Sequence, residues 1–118
     1  MKLRYQELDG GIRLIKLIGA LDMTGTYSIE IEFVRLCDGD NVRVLVDLSK
    51  VNYLSSIGIP MLINTAKSVT NRGGKFALLN PQQNVAEVLD IVGIREIIPI
   101  FTDLESAKAG LDLKIDSE

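Results

Sequence analysis

Residues 42–60 read VRVLVDLSKVNYLSSIGIP. Val42 to Leu48 is short, β-branched and almost wholly apolar, which suits a central strand covered on both faces. Beyond the serine pair, Ile59, Leu62, Ile63, Ala66 and Val69 fall on one side of a helix, which Asn71-Arg72-Gly73-Gly74 stops. Pro60 lacks a backbone NH, harmless only in a helix's opening turn, so this helix cannot begin much before Ile57. Lys75 to Leu79 then reads as another strand. A strand, a one-sided helix and a strand in succession make a βαβ unit, and with it a parallel sheet.

The same alternation extends outward. Leu3 and Tyr5 alternate with polar neighbours as a half-buried strand does, and Asp9-Gly10-Gly11 supplies a hairpin-type turn into a second strand over residues 11–19. Ile29, Phe33, Leu36 and Cys37 predict a helix over Thr26–Cys37, with Glu30 and Glu32 turned away. Pro81 opens a third helix with the stripe Val85, Val88, Leu89 and Val92, and Gly93 closes it. Ile97 to Phe101 is a short strand or extended connection. Thr102-x-x-Glu105 has the form of a capping box, so a last helix runs through Leu104, Ala107, Lys108 and Leu111. The expected fold is a single α/β domain over residues 1–113, a mixed, mostly parallel sheet of four to five strands packed with about four helices. A frayed tail is expected over 114–118.

Composition narrows the function. A net charge of -3 and a pI near 5.0 make a surface that repels phosphate backbones, so nucleic acid is not an expected partner. No run approaches the roughly 18 apolar residues of a membrane span, and MKLRYQEL has no apolar signal core, so the expected location is cytoplasmic. The chain has no histidine, which removes the commonest general base and metal ligand, and no clustered carboxylate spacing suggests a metal. Cys37 is the single cysteine and reads as a buried small hydrophobe. A serine hydrolase would need a G-x-S-x-G elbow and a histidine, and has neither; a serine–lysine pair through Lys50 or Lys67 finds no support in the spacing. Gly73-Gly74-Lys75 lacks the phosphate-loop spacing and precedes a strand. Neither catalysis nor a cofactor is expected.

Ser55 and Ser56 remain. They lie at the carboxyl end of a strand region and the entrance of a helix, the edge where open α/β sheets meet ligands and partners. One serine as a helix cap and the other as a turn residue is the simplest account, because serine is a preferred cap anywhere. That account leaves a second hydroxyl beside the apolar Ile57, Ile59 and Pro60, a greasy rim around a polar spot.

Gly19-Ala20-Leu21-Asp22, Val46-Asp47-Leu48-Ser49 with Val51, Tyr53 to Ile59, and Val92-Gly93-Ile94 through Ile98 with Phe101 together resemble the STAS domain, in particular bacterial anti-sigma factor antagonists. The resemblance covers roughly residues 3–112. It implies a partner switch in which the serine loop and adjacent helix bind an anti-sigma factor serine kinase, phosphorylation of one loop serine releases it, and a serine phosphatase restores binding. Aligned on Gly58, the phosphorylated serine of the family falls on Ser56. Asp22, Met23, Thr24, Ser55, Ile57, Gly58, Ile59 and Met61 are the implied partner contacts, and the implied state is a monomer or weak dimer. The family loop reads Asp-Ser-Ser-Gly-Leu-Gly, so Ser55 stands where the aspartate is usual, Ile57 replaces the second serine and Pro60 the later glycine. A non-phosphorylated scaffold or regulatory subunit of a stress-sensing or transporter complex is the alternative.

Overall fold

The structure, a computed structural model, describes residues 1–112. Strands β1 (Lys2–Glu7), β2 (Ile12–Leu21), β3 (Arg43–Leu54), β4 (Lys75–Leu79) and β5 (Ile100–Phe101) form one sheet in sequence order. β1 is antiparallel to β2, and every other pair is parallel. Helices α1 (Met23–Leu36), α2 (Gly58–Asn71) and α3 (Gln83–Ile91) cross between successive parallel strands, and α4 (Leu104–Asp112) follows β5. The mixed, mostly parallel sheet with helices is the expected architecture.

Strand order and crossover hand together fix where the helices lie. Three right-handed crossovers that step in one direction across a sheet place their helices on the same face. Ile15, Leu17, Val44, Val46, Leu48, Phe76 and Leu78 accordingly share one core with Phe33 of α1, Leu62 of α2 and Leu89 of α3. Within it Phe33 meets Phe76 edge to face at 6.4 Å. The alternate strand residues Ile12, Leu45, Ala77 and Leu79 pack with Ala107 and Leu111 of α4 on the opposite face.

α4 covers only part of that second face. Beside α4 on that face, Arg4, Gln6, Leu14 and Lys16 surround Asp47, the one carboxylate inside the apolar run of β3, which is buried. Its Oδ1 accepts the Ser49 amide at 2.9 Å and its Oδ2 lies 3.9 Å from Lys16 Nζ. The expectation of a strand covered on both faces holds from Val44 to Leu48, and Asp47 is buried with the rest, its charge met by the Ser49 amide and Lys16.

Several boundaries move for local reasons. α1 starts at Met23, three residues before the predicted Thr26, because Asp22 is extended and accepts the Gly25 amide at 2.7 Å as an N-cap. A Cβ at Gly25 would stand 2.0 Å from the Ala20 carbonyl oxygen, so this turn tolerates only glycine. The hairpin turn after β1 is a 3-10 turn over Asp9–Gly11, with φ of 81° at Gly10 and 79° at Gly11. α3 ends at Ile91, and left-handed Gly93 leads into a 3-10 turn, which leaves Val92 exposed rather than in the predicted stripe. The strand expected over 97–101 is confined to Ile100–Phe101. The cap of α4 is Asp103, which accepts the Ser106 amide at 2.8 Å and its hydroxyl at 3.1 Å, and not Thr102 of the predicted capping box. Leu104, placed in the last helix's stripe, is exposed. The frayed tail expected over 114–118 lies outside the described residues.

Cys37, at the end of α1, is buried as expected, and burial pushes its thiol pKa up to about 12 against the opposing charges of Arg13 and Arg72. Those arginines fasten the helix end. Arg13 donates to the carbonyls of Leu36 and Asp38, and Arg72, from the far end of α2, to those of Cys37 and Gly39.

Candidate functional site: the Ser55–Ser56 loop and the groove between α1 and α2

β2 and β3 run parallel with Leu21 opposite Leu54, so their following loops leave the sheet side by side. Ser55 joins them. Its backbone amide and its hydroxyl both donate to the Leu21 carbonyl, at 3.0 and 2.8 Å. The same hydroxyl oxygen accepts the Ile57 amide at 3.2 Å, and the Gly58 amide donates to the Ser55 carbonyl at 3.1 Å. One hydroxyl thus satisfies a donor at the entrance of α2 and an acceptor at the end of β2. An aspartate here, as in the family loop, could accept the amide but, ionised, has no proton for the Leu21 carbonyl.

Ser56 is built differently. It is exposed, and its hydroxyl makes no hydrogen bond among the described residues. Neither serine is the N-cap of α2, which is Ile57 with no side chain capping it; Ser55 holds the turn before the helix, and the Ser56 hydroxyl, unengaged among the described residues, faces a groove.

The remaining residues singled out in the sequence divide by burial. Met23 and Thr24 in the first turn of α1 are exposed, as is Ile57. Asp22 is half-buried and holds the α1 cap one residue beyond the carbonyl that Ser55 binds. Gly58, Ile59 and Met61 turn inward. A Cβ on Gly58 would come within 3.0 Å of both Leu21 and Leu54, so α2 descends directly onto the two strand ends.

From Ser56 an open groove of about 760 Å³ runs between α1 and α2. Ile57, Pro60 and Met61 form one wall near the loop, and Tyr27, Ile31 and Val34 form the other. The α1 wall went unrecognised in the sequence, although its signal was there. Met23, Tyr27, Ile31 and Val34 recur at i, i+4, i+8 and i+11, a second apolar stripe on a helix whose first stripe already faces the core. They are 58%, 61%, 75% and 49% exposed, far too open for core residues. Thr26 also lines the groove, and its Oγ1 is buried with no hydrogen-bond partner among the described residues.

Among the described residues no group of three or more acidic, cysteine or histidine side chains is placed to hold a metal, and no helix is long and apolar enough to cross a membrane. The site is a loop and a trough, with the makings of a surface for another macromolecule.

Comparison with known proteins identifies the class. The STAS domain model matches residues 6–107, and the chain belongs to the STAS family. BtrV of Bordetella bronchiseptica, named as a candidate anti-sigma factor antagonist, is 29% identical over 109 residues, 92% of this chain and 93% of its own. The anti-sigma-B factor antagonist of Bacillus subtilis is 28% identical over 92 residues, 77% of this chain and 83% of its own. Among solved structures, an anti-sigma-factor antagonist (STAS) domain protein from Planctomyces limnophilus superposes with a TM-score of 0.83 at 22% identity, covering 94% of this chain and 98% of that one. The Bacillus cell fate determinant SpoIIAA in its phosphorylated form does so with a TM-score of 0.66 at 15% identity, covering 92% and 99%. At such identities the structural likeness shows the fold.

Proposed function

We propose that this chain is an anti-sigma factor antagonist working by partner switching, with Ser56 as the phosphate acceptor and the loop, the first turn of α1 and the exposed rim of α2 as the docking surface. Its partners are an anti-sigma factor serine kinase, which binds the unmodified chain, and a serine phosphatase, which returns the modified chain to that state. The setting is cytoplasmic, and the free chain is a monomer or weak dimer. The observation that carries the reading is the division of labour between the two hydroxyls: Ser55 is tied into the scaffold, while Ser56 stands exposed and unbonded at the mouth of an apolar groove.

The physics of release follows from charge. A phosphoserine carries about -1.5 to -2 charges at pH 7. Added at Ser56, next to the serine that binds the carbonyl preceding Asp22, and covered by a partner that offers no new cation, it loses solvent and adds negative charge to a chain that already carries a net -3. A penalty of about 3 kcal/mol already weakens binding more than 100-fold. The hydroxyl makes no internal bond among the described residues, so the modification breaks none and the backbone has no cause to move.

Titration against the cognate anti-sigma factor kinase tests the reading. Ser56→Ala should bind as the unmodified chain does and resist release by ATP, and Ser56→Asp should bind at least 100-fold more weakly. Equal affinities would remove the switch and favour a scaffold that is never phosphorylated, the reading to which the serine at position 55 lends some weight.

A further inference from the structure

The groove carries a more specific inference about the partner, one that rests on the antagonist reading. We propose that it seats a single amphipathic helix of the anti-sigma factor, about three turns long, lying between α1 and α2 with its apolar face down.

The second stripe of α1 motivates this. Large apolar side chains scattered over a surface need no explanation, but four in one line along a helix do. Met23, Tyr27, Ile31 and Val34 are such a line, and Ile57 and Pro60 continue the apolar surface across the groove to the loop. The lining reaches along α2 from Pro60 to Arg72, about 18 Å at 1.5 Å per residue, which is a little over three helical turns. A trough bounded by two helices offers no unpaired strand edge, so the occupant must satisfy its own backbone, and a helix does that.

Area argues against a second copy of this chain. The four α1 side chains with Ile57 expose roughly 500 Å² together, below the about 800 Å² per partner of a stable interface. A helix dropped into the trough is covered from both walls, and the protein that carries it adds contacts at the Ser56 loop. Charge sets the occupant's register. Glu30 and Arg35 both line the groove without an ion-pair partner among the described residues, five positions apart on α1. The incoming helix should therefore present a basic residue to Glu30 and an acidic one about one and a half turns further along, to Arg35. Arg72, also in the lining, is engaged with Cys37, Gly39 and Ser68 and is not available.

The test uses the full chain and the purified cognate anti-sigma factor. Ile31→Lys and Tyr27→Ala should each weaken binding about 30-fold or more, as central interface anchors do, with the thermal midpoint of the free chain unchanged. A photo-crosslinking amino acid at position 31 should label one helical segment whose apolar residues recur three and four apart. Wild-type affinity in both variants while Ser56→Asp still weakens binding would overturn the groove and leave the switch intact. A crosslink to a strand or loop of the partner, or a wild-type dimer that Ile31→Lys dissociates, would also overturn it. If the wild-type chain binds no anti-sigma factor, the antagonist reading fails and takes this inference with it.

Discussion

Two adjacent serines with unlike surroundings should answer differently to the same mutation. Ser55→Ala removes two hydrogen bonds at the junction of β2 and α2 and leaves the Ile57 amide without that partner. It should cost on the order of 1–2 kcal/mol in denaturant melts, whereas Ser56→Ala should stay within about 0.5 kcal/mol of wild type. Thr26 gives the opposite sign. Its hydroxyl is buried and has no partner among the described residues, so Thr26→Val should raise stability by about 1 kcal/mol, since the penalty of dehydrating that group disappears. The sequence suggested a cap and a turn residue, whereas Ser55 ties the turn to β2 and the cap position falls on Ile57. That tie depends on the Leu21 carbonyl, 34 residues away, which no local pattern announces.

At the scale of elements, α1 shows how a boundary can hide a site. TGT at positions 24–26 is a poor helix former, so periodicity begins the helix at Thr26 and leaves Met23 outside it. Asp22 overrides that weakness by capping, and once the helix starts at Met23 the outer stripe has four members instead of three. The inner stripe through Phe33 and Cys37 was legible because burial at helical spacing is what periodicity reports. The end of this helix should also sense alkali. The Cys37 thiol titrates at about 12 in the fold, above an unfolded cysteine, so its burial stabilises the protein fully below about pH 8.5 and this contribution is lost as pH rises through 12. Melts from pH 7 to 11 should show the loss, and Cys37→Ala should flatten it. At the other end of the chain Asp103 is held below the usual carboxylate range, first by the Ser106 backbone amide. Asp103→Ala should fray α4, lowering its helical signal more than Thr102→Ala does.

Over the whole molecule, one topological fact positions everything discussed. Strands in sequence order with same-handed crossovers stack α1, α2 and α3 on one face, and that makes α1 and α2 neighbours with a groove between them. The alternation of strands and helices was readable from hydrophobic periods, and the sheet class with it. The groove was not, because it is made of residues from two helices that meet only after folding. Since the Ser56 hydroxyl is unengaged among the described residues, Ser56→Asp should leave the melting temperature and the amide exchange of β3 and α2 unchanged, so that a phosphorylated chain differs from its parent in surface charge alone.

Intact-mass analysis followed by peptide mapping, after incubation with the cognate anti-sigma factor kinase and ATP, bears on the central claim most directly. One added phosphate on Ser56, still present in Ser55→Ala and absent in Ser56→Ala, is the predicted result. A phosphate on Ser55, or none on a chain that binds the kinase, would contradict it.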